Sequence, residues 1–82
     1  MGKTIIETIG CDLGDKQSEL CVLLPNGKLE RPEPLKTTRS AFTKFFTRSR
    51  AHVVIEVGTH SRWVSELLKK LGHQLTVATH VE

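Results

Sequence analysis

His52-Val53-Val54-Ile55-Glu56-Val57 is an apolar, β-branched run, too short for a helix and flanked on both sides by segments of helical periodicity. A strand in that setting is entered from one helix and left into another. The chain is thereby committed to crossover connections, and right-handed crossovers make the later strands parallel to one another in a mixed sheet. The run reads as a central strand buried on both faces.

Its neighbours in sequence fill in the order. Residues 4–11 are mostly β-branched, Gly14-Asp15-Lys16 supplies a turn, and residues 19–24 return as a second strand, which makes a hairpin. Asn26-Gly27 after Pro25 offers the positive φ values of a tight loop, so residues 28–31 can form a short third strand. Pro32 and Pro34 break the pattern. Thr37 or Thr38 can then cap a helix in which Ala41, Phe42, Phe45 and Phe46 recur at three- and four-residue spacing, an aromatic stripe that reads as core. Thr59-His60-Ser61 opens a second helix, with His60 and Ser61 placed to cap it or to orient Glu56. Val64, Leu67, Leu68 and Leu71 lie on one face of that helix, and Gly72 stops it. Residues 74–78 are the fifth strand. The resulting α/β order, β-β-β-α-β-α-β, is that of a ribonuclease-H-like mixed sheet, with the first strand central and the fourth beside it.

In that order Asp12, closing the first strand, and Glu56, near the end of the fourth, fall at the same edge of the sheet. Taken singly, Asp12 can be a turn residue satisfying backbone amides and Glu56 a surface acid. Together they can share a divalent cation, because ionised groups at the ends of buried strands are costly unless neutralised, and Mg²⁺ is commonly held by one or two carboxylates plus waters.

A chain of 82 residues supports one small domain, and its 38% apolar and 26% charged content argues for a folded one. The net charge of +3 is a mild case for nucleic acid. Basic residues are denser over 36–50, where Lys36, Arg39, Lys44, Arg48 and Arg50 meet no acid. This segment is either a solvated helix face or a set of phosphate contacts, for which Arg39, Lys44, Arg48 and Arg50 are the candidates. Cys11 and Cys21 lack CxxC spacing, and His52, His60, His73 and His80 show no i,i+4 pairing on one element, which argues against zinc. No apolar run approaches the roughly 20 residues of a membrane span, and no signal segment precedes the first strand. A soluble, cytoplasmic protein with reduced thiols is expected.

The segments Ile9-Gly10-Cys11-Asp12-Leu13-Gly14-Asp15-Lys16, Leu20-Cys21-Val22-Leu23-Leu24 with Asn26-Gly27, Ile55-Glu56-Val57-Gly58-Thr59-His60-Ser61-Arg62-Trp63-Val64 and Leu67-Leu68-Lys69-Lys70-Leu71-Gly72-His73 together resemble the N-terminal part of DEDD insertion-sequence transposases of the Piv/MooV type. The likeness spans residues 8–79, and the stretch from Glu56 to Val64 is its most specific part. It implies a Holliday-junction-resolvase-like ribonuclease-H domain, with Asp12 the first acid of the set and Glu56 the second. Both would bind Mg²⁺ for DNA strand cleavage and exchange. That family continues with a segment bearing the last two aspartates, a coiled linker and a domain with a nucleophilic serine, and it chooses sites with a structured bridge RNA. In this chain the only acid after Glu66 is Glu82. The resemblance therefore implies residues 1–82 as the N-terminal part of one catalytic domain: a fragment that binds Mg²⁺ weakly and does not cut DNA alone. Its implied partners are DNA and, in the full-length protein, a guide RNA. Cys11 stands where the family usually has an aliphatic residue.

Ending just after the fifth strand would bare a sheet edge and favour self-association. Two other readings fit parts of the pattern. A noncatalytic nucleic-acid- or protein-binding domain would use the basic segment with Arg62, Lys69 and Lys70. An ATP-binding module of the actin and sugar-kinase class also begins with an Asp-Leu-Gly turn, but here Asp15 would repel the phosphates and Glu56-Val57-Gly58 replaces the second aspartate turn.

Overall fold

The computed structural model describes residues 6–79, which form a two-layer α/β domain; residues 4 and 5 of the expected first strand lie outside the described residues, as does His80. The strands are β1 (Thr8–Asp12), β2 (Gln17–Leu23), β3 (Leu29–Glu30), β4 (Leu35–Lys36), β5 (His52–Glu56) and β6 (Gln74–Ala78), and the helices are α1 (Arg39–Phe46) and α2 (Ser61–Lys70). The sheet runs β3-β2-β1-β5-β6, with β4 pairing β2 off that path. β1 is antiparallel to β2 and parallel to β5, and β5 is parallel to β6. The sheet is thus mixed, with β1 in the middle.

Alternation along each strand decides what faces the helices. Ile9 and Cys11 of β1, Leu20 and Val22 of β2, and Val53 and Ile55 of β5 are buried, while the residues between them are half-buried or exposed. Phe42 and Phe46 of α1 and Val64, Leu67 and Leu68 of α2 join them in one core cluster. Both helices therefore lie on one face. The expectation that β5 is buried on both faces fails for that reason: Val54 and His52, on the side opposite the helices, are only half-buried, and β5 alternates as a one-sided strand does.

Two further differences have local causes. Extended backbone is favoured before and at proline, and after Pro34 it persists long enough for Leu35 and Lys36 to pair with Ser18 and Gln17. The buried Ser18 hydroxyl meets that of Thr37 at 2.7 Å, so the added strand also satisfies a core polar group. At the helix starts, Thr38 caps α1 by accepting from the Ala41 N–H at 3.1 Å, as expected. His60 occupies the corresponding position of α2 without capping it. Ser61 instead accepts from the Gly58 N–H and donates to the Gly58 carbonyl.

His73 closes the far end of the core. Its Nδ1 accepts from the Ala51 N–H at 3.1 Å, which leaves Nε2 to donate to the Phe46 carbonyl at 2.7 Å. One buried ring thereby joins the end of α1, the entry to β5 and the entry to β6. Gly14 is required in the β1–β2 turn, because a Cβ there would lie 2.5 Å from the Gln17 carbonyl oxygen.

Phe42 is fully buried, stacked on Phe46 and edge-on to Trp63. Phe42→Ala should cost about 3–5 kcal/mol, enough to unfold much of a domain this small, as read by urea denaturation. Burial pushes the Cys11 thiol up from the ordinary 9.0 to about 12. The native state then holds a proton that the unfolded chain has released, so stability should fall as pH rises from about 9 towards 12. A thiol reagent at neutral pH should label the half-buried Cys21 promptly and Cys11 only on unfolding.

Candidate functional site

The parallel register fixes where the two acids end up. Cys11 pairs with Ile55 across β1 and β5, so Asp12 and Glu56, one residue further along each strand, emerge side by side on the sheet face away from the helices. Antiparallel pairing on the other flank puts Glu19 of β2 opposite Asp12. Three carboxylates on neighbouring strands therefore line one end of a shallow depression of about 470 Å³, with Gly10, Cys21 and Val54 as its floor and Arg31 beside it. A smaller pocket of about 110 Å³ lies beyond the strand ends, between the turn after β1 and the loop after β5; it too is lined by Asp12 and Glu56, with Asp15, Gly58, Thr59 and His60.

Both Asp12 and Glu56 are solvent-exposed. The desolvation argument that singled them out from sequence therefore does not apply, and what marks them is adjacency on one face. Neither they nor Glu19 has an ion-pair partner among the described residues. Among the described residues no group of three or more His, Cys, Asp or Glu side chains is arranged to hold a metal ion. If a cation were held here, Asp12 and Glu56 are the two carboxylates that could share it, with water supplying the other ligands.

No protein-family model matches this chain, and no curated protein matches it.

The basic candidates lie elsewhere. Arg39 and Lys44 are exposed on α1, which packs on the opposite face, and Arg48 and Arg50 precede β5 at the end of the sheet away from the acids. Arg48 also supports the fold, since it pairs with Glu7 at 3.0 Å and stacks on the Phe45 ring 4.8 Å from its centroid. Arg39, Lys44 and Arg50 have no ion pair among the described residues. Arg62 pairs weakly with Glu66 at 3.7 Å along α2. The acids and the basic segment thus lie on separate parts of the surface.

Two residues of the site escape a linear reading. Glu19 and Arg31 are brought in by strand pairing, and the hairpin register set by the Gly14-Asp15-Lys16 turn is the signal that finds Glu19. His60, expected near Glu56 from sequence, is carried to the smaller pocket by the β5–α2 loop.

Like charges directly across a sheet destabilise it by roughly 0.2–1 kcal/mol per pair. Asp12→Asn and Glu56→Gln should each raise the thermal midpoint slightly in metal-free buffer, and a fall in either would mean that the carboxylate serves the fold.

Proposed function

We propose that this domain is the N-terminal, carboxylate-bearing part of a Mg²⁺-dependent DNA strand-transfer enzyme of the DEDD transposase type, built on a ribonuclease-H-like sheet. The observation that carries the reading is the parallel β1–β5 register, which makes Asp12 and Glu56 neighbours at the ends of adjacent central strands. The sheet order, with an antiparallel β3-β2-β1 meander followed by parallel β5 and β6, supports the fold assignment. Asp12 and Glu56 would hold Mg²⁺ jointly, and Gly10, Cys21 and Val54 leave an uncrowded floor beside them on which a phosphodiester backbone can approach. The cation, when bound, supplies Lewis-acid stabilisation of phosphoryl oxygens. Asp12 and Glu56 would be two of the four acids of the DEDD set, so in this reading residues 1–82 alone bind and do not cut.

A second reading, a noncatalytic module that binds nucleic acid or itself, is favoured by two observations. Arg39, Lys44 and Arg50 are exposed cations without ion-pair partners among the described residues, and β6 forms one edge of the sheet with Val77 40% exposed. Among the described residues no helix is long and apolar enough to cross a membrane.

Calorimetric titration with Mn²⁺ and Mg²⁺ separates the readings. The transposase reading expects binding far weaker than micromolar, lost in Asp12→Asn and in Glu56→Gln, and submicromolar or Asp12-independent binding contradicts it. For branched DNA, the binding-module reading expects steep salt dependence that is reduced in the Arg39→Ala/Lys44→Ala/Arg50→Ala variant and untouched by Asp12→Asn. Arg48 is left out of that variant because losing its bond to Glu7 would also disturb the fold.

A further inference from the structure

The two edges of the sheet differ in how well they are protected against further pairing. At one of them β3 and β4 are only two residues long, and the chain that forms them carries Glu30, Arg31, Glu33 and Lys36 together with Pro32 and Pro34. Short strands, charges and prolines are the usual devices that stop an edge from taking up another strand. The other edge has none of them. β6 runs for five residues, Gln74-Leu75-Thr76-Val77-Ala78, without a charge or a proline, and among the described residues it pairs with β5 alone.

The bonds to β5 show which backbone groups β6 leaves over. The Gln74 N–H donates to the Ala51 carbonyl, and the Ala78 carbonyl accepts from the Val57 N–H. Backbone groups of successive strand residues point to opposite flanks, so Gln74, Thr76 and Ala78 face β5, while the N–H and C=O groups of Leu75 and Val77 face outward. A second β6 laid antiparallel about a twofold axis at Thr76 sets Leu75 of each copy opposite Val77 of the other, and each such pair exchanges two hydrogen bonds. All four outward groups of each strand are then used. The side chains agree with this register. Leu75 and Val77 lie beside Val53 and Ile55, which are buried under the helices, so both are on the helical side of the sheet; Leu75 is half-buried against the core and Val77 is 40% exposed. In the pair, Leu75 of one copy covers Val77 of the other, and on the open side Thr76 meets Thr76, a favourable cross-strand combination with no like charge opposed. We propose that the occupant of this edge is β6 of a second copy, in an isologous dimer whose sheet runs continuously across the twofold axis. The inference rests on the self-association arm of the second reading above, to which it adds the strand and the register, and it does not depend on the metal reading. A single five-residue strand pair covers less than the roughly 1,200 Å² of a stable interface, so the dimer is weak and builds up with concentration.

The test uses the full chain in sedimentation equilibrium, with a cross-linking arm that reads the register. The average mass should rise towards that of a dimer as concentration approaches about 1 mM. Val77→Lys places a charge on an exposed side chain outside the core cluster, so it should stay folded in thermal unfolding and lose the association. For the register, Cys21→Ser removes the half-buried thiol and leaves Cys11 shielded in the core. In that background Thr76→Cys should form a disulfide-linked dimer on mild oxidation, because residues facing each other in a non-hydrogen-bonded pair bring their Cα atoms to about 4.5 Å. Gln74→Cys faces Ala78 of the other copy in this register and should not cross-link. A folded Val77→Lys variant that still associates, or cross-linking no better at position 76 than at 74, overturns this inference and leaves self-association through another surface standing. A wild-type chain that stays monomeric up to about 1 mM overturns the self-association arm and this inference with it.

Discussion

The pairing of β1 with β5 is the interaction on which the rest depends. It joins the hairpin half of the chain to the crossover half, and each of its consequences follows from register. With Ile9 beside Val53 and Cys11 beside Ile55, four buried side chains form the floor onto which α1 and α2 pack. Had β5 paired elsewhere, the two helices would have had no common surface and the two acids no common edge. This is a non-local contact, formed only after the loop through α1 has closed, so the most consequential pairing is also among the costlier ones to make.

The core and the site are opposite sides of one alternation. Residues at odd positions of β1 serve packing, and those at even positions serve the open face, ending at Asp12. This division explains why the acids are exposed and yet held: their backbones belong to the most buried strands while their side chains do not. It also explains why the basic segment is separate. α1 turns its aromatic face, Phe42 and Phe46, towards the sheet, so its cations face outward on the side away from the acids.

Much of this is legible from residues alone, for identifiable reasons. The helices announce themselves through the three- and four-residue spacing of Phe42, Phe45 and Phe46 and of Val64, Leu67 and Leu68, and the strands through β-branched runs bounded by Gly14, Asn26-Gly27 and Gly72. Asp12 and Glu56 can be found because strand ends are read linearly. What cannot be read depends on contacts between distant segments. The one-sided burial of β5 follows from both helices choosing the same face, and a short apolar run does not encode that choice. Leu35 and Lys36 pair only because Gln17 and Ser18 are nearby in space. Nothing around His73 in the chain signals a buried ring, and its two backbone bonds exist only once Phe46 and Ala51 have been brought together. His60 sits in sequence where a cap would sit and is a bridge instead, because Trp63 and Asp15 claim both of its nitrogens.

The alternation of β1 has an implication for how this chain tolerates change. Side chains along a strand swap faces with every step, so loss or gain of a single residue between Thr8 and Cys11 would push Asp12 inward towards the core cluster and turn the cysteine outward to the open face. Length in this segment is therefore constrained more tightly than identity. Ile9 could be exchanged for another aliphatic residue with modest loss, whereas a frame-preserving deletion of one codon would invert the central strand and remove core and carboxylate pair in a single event.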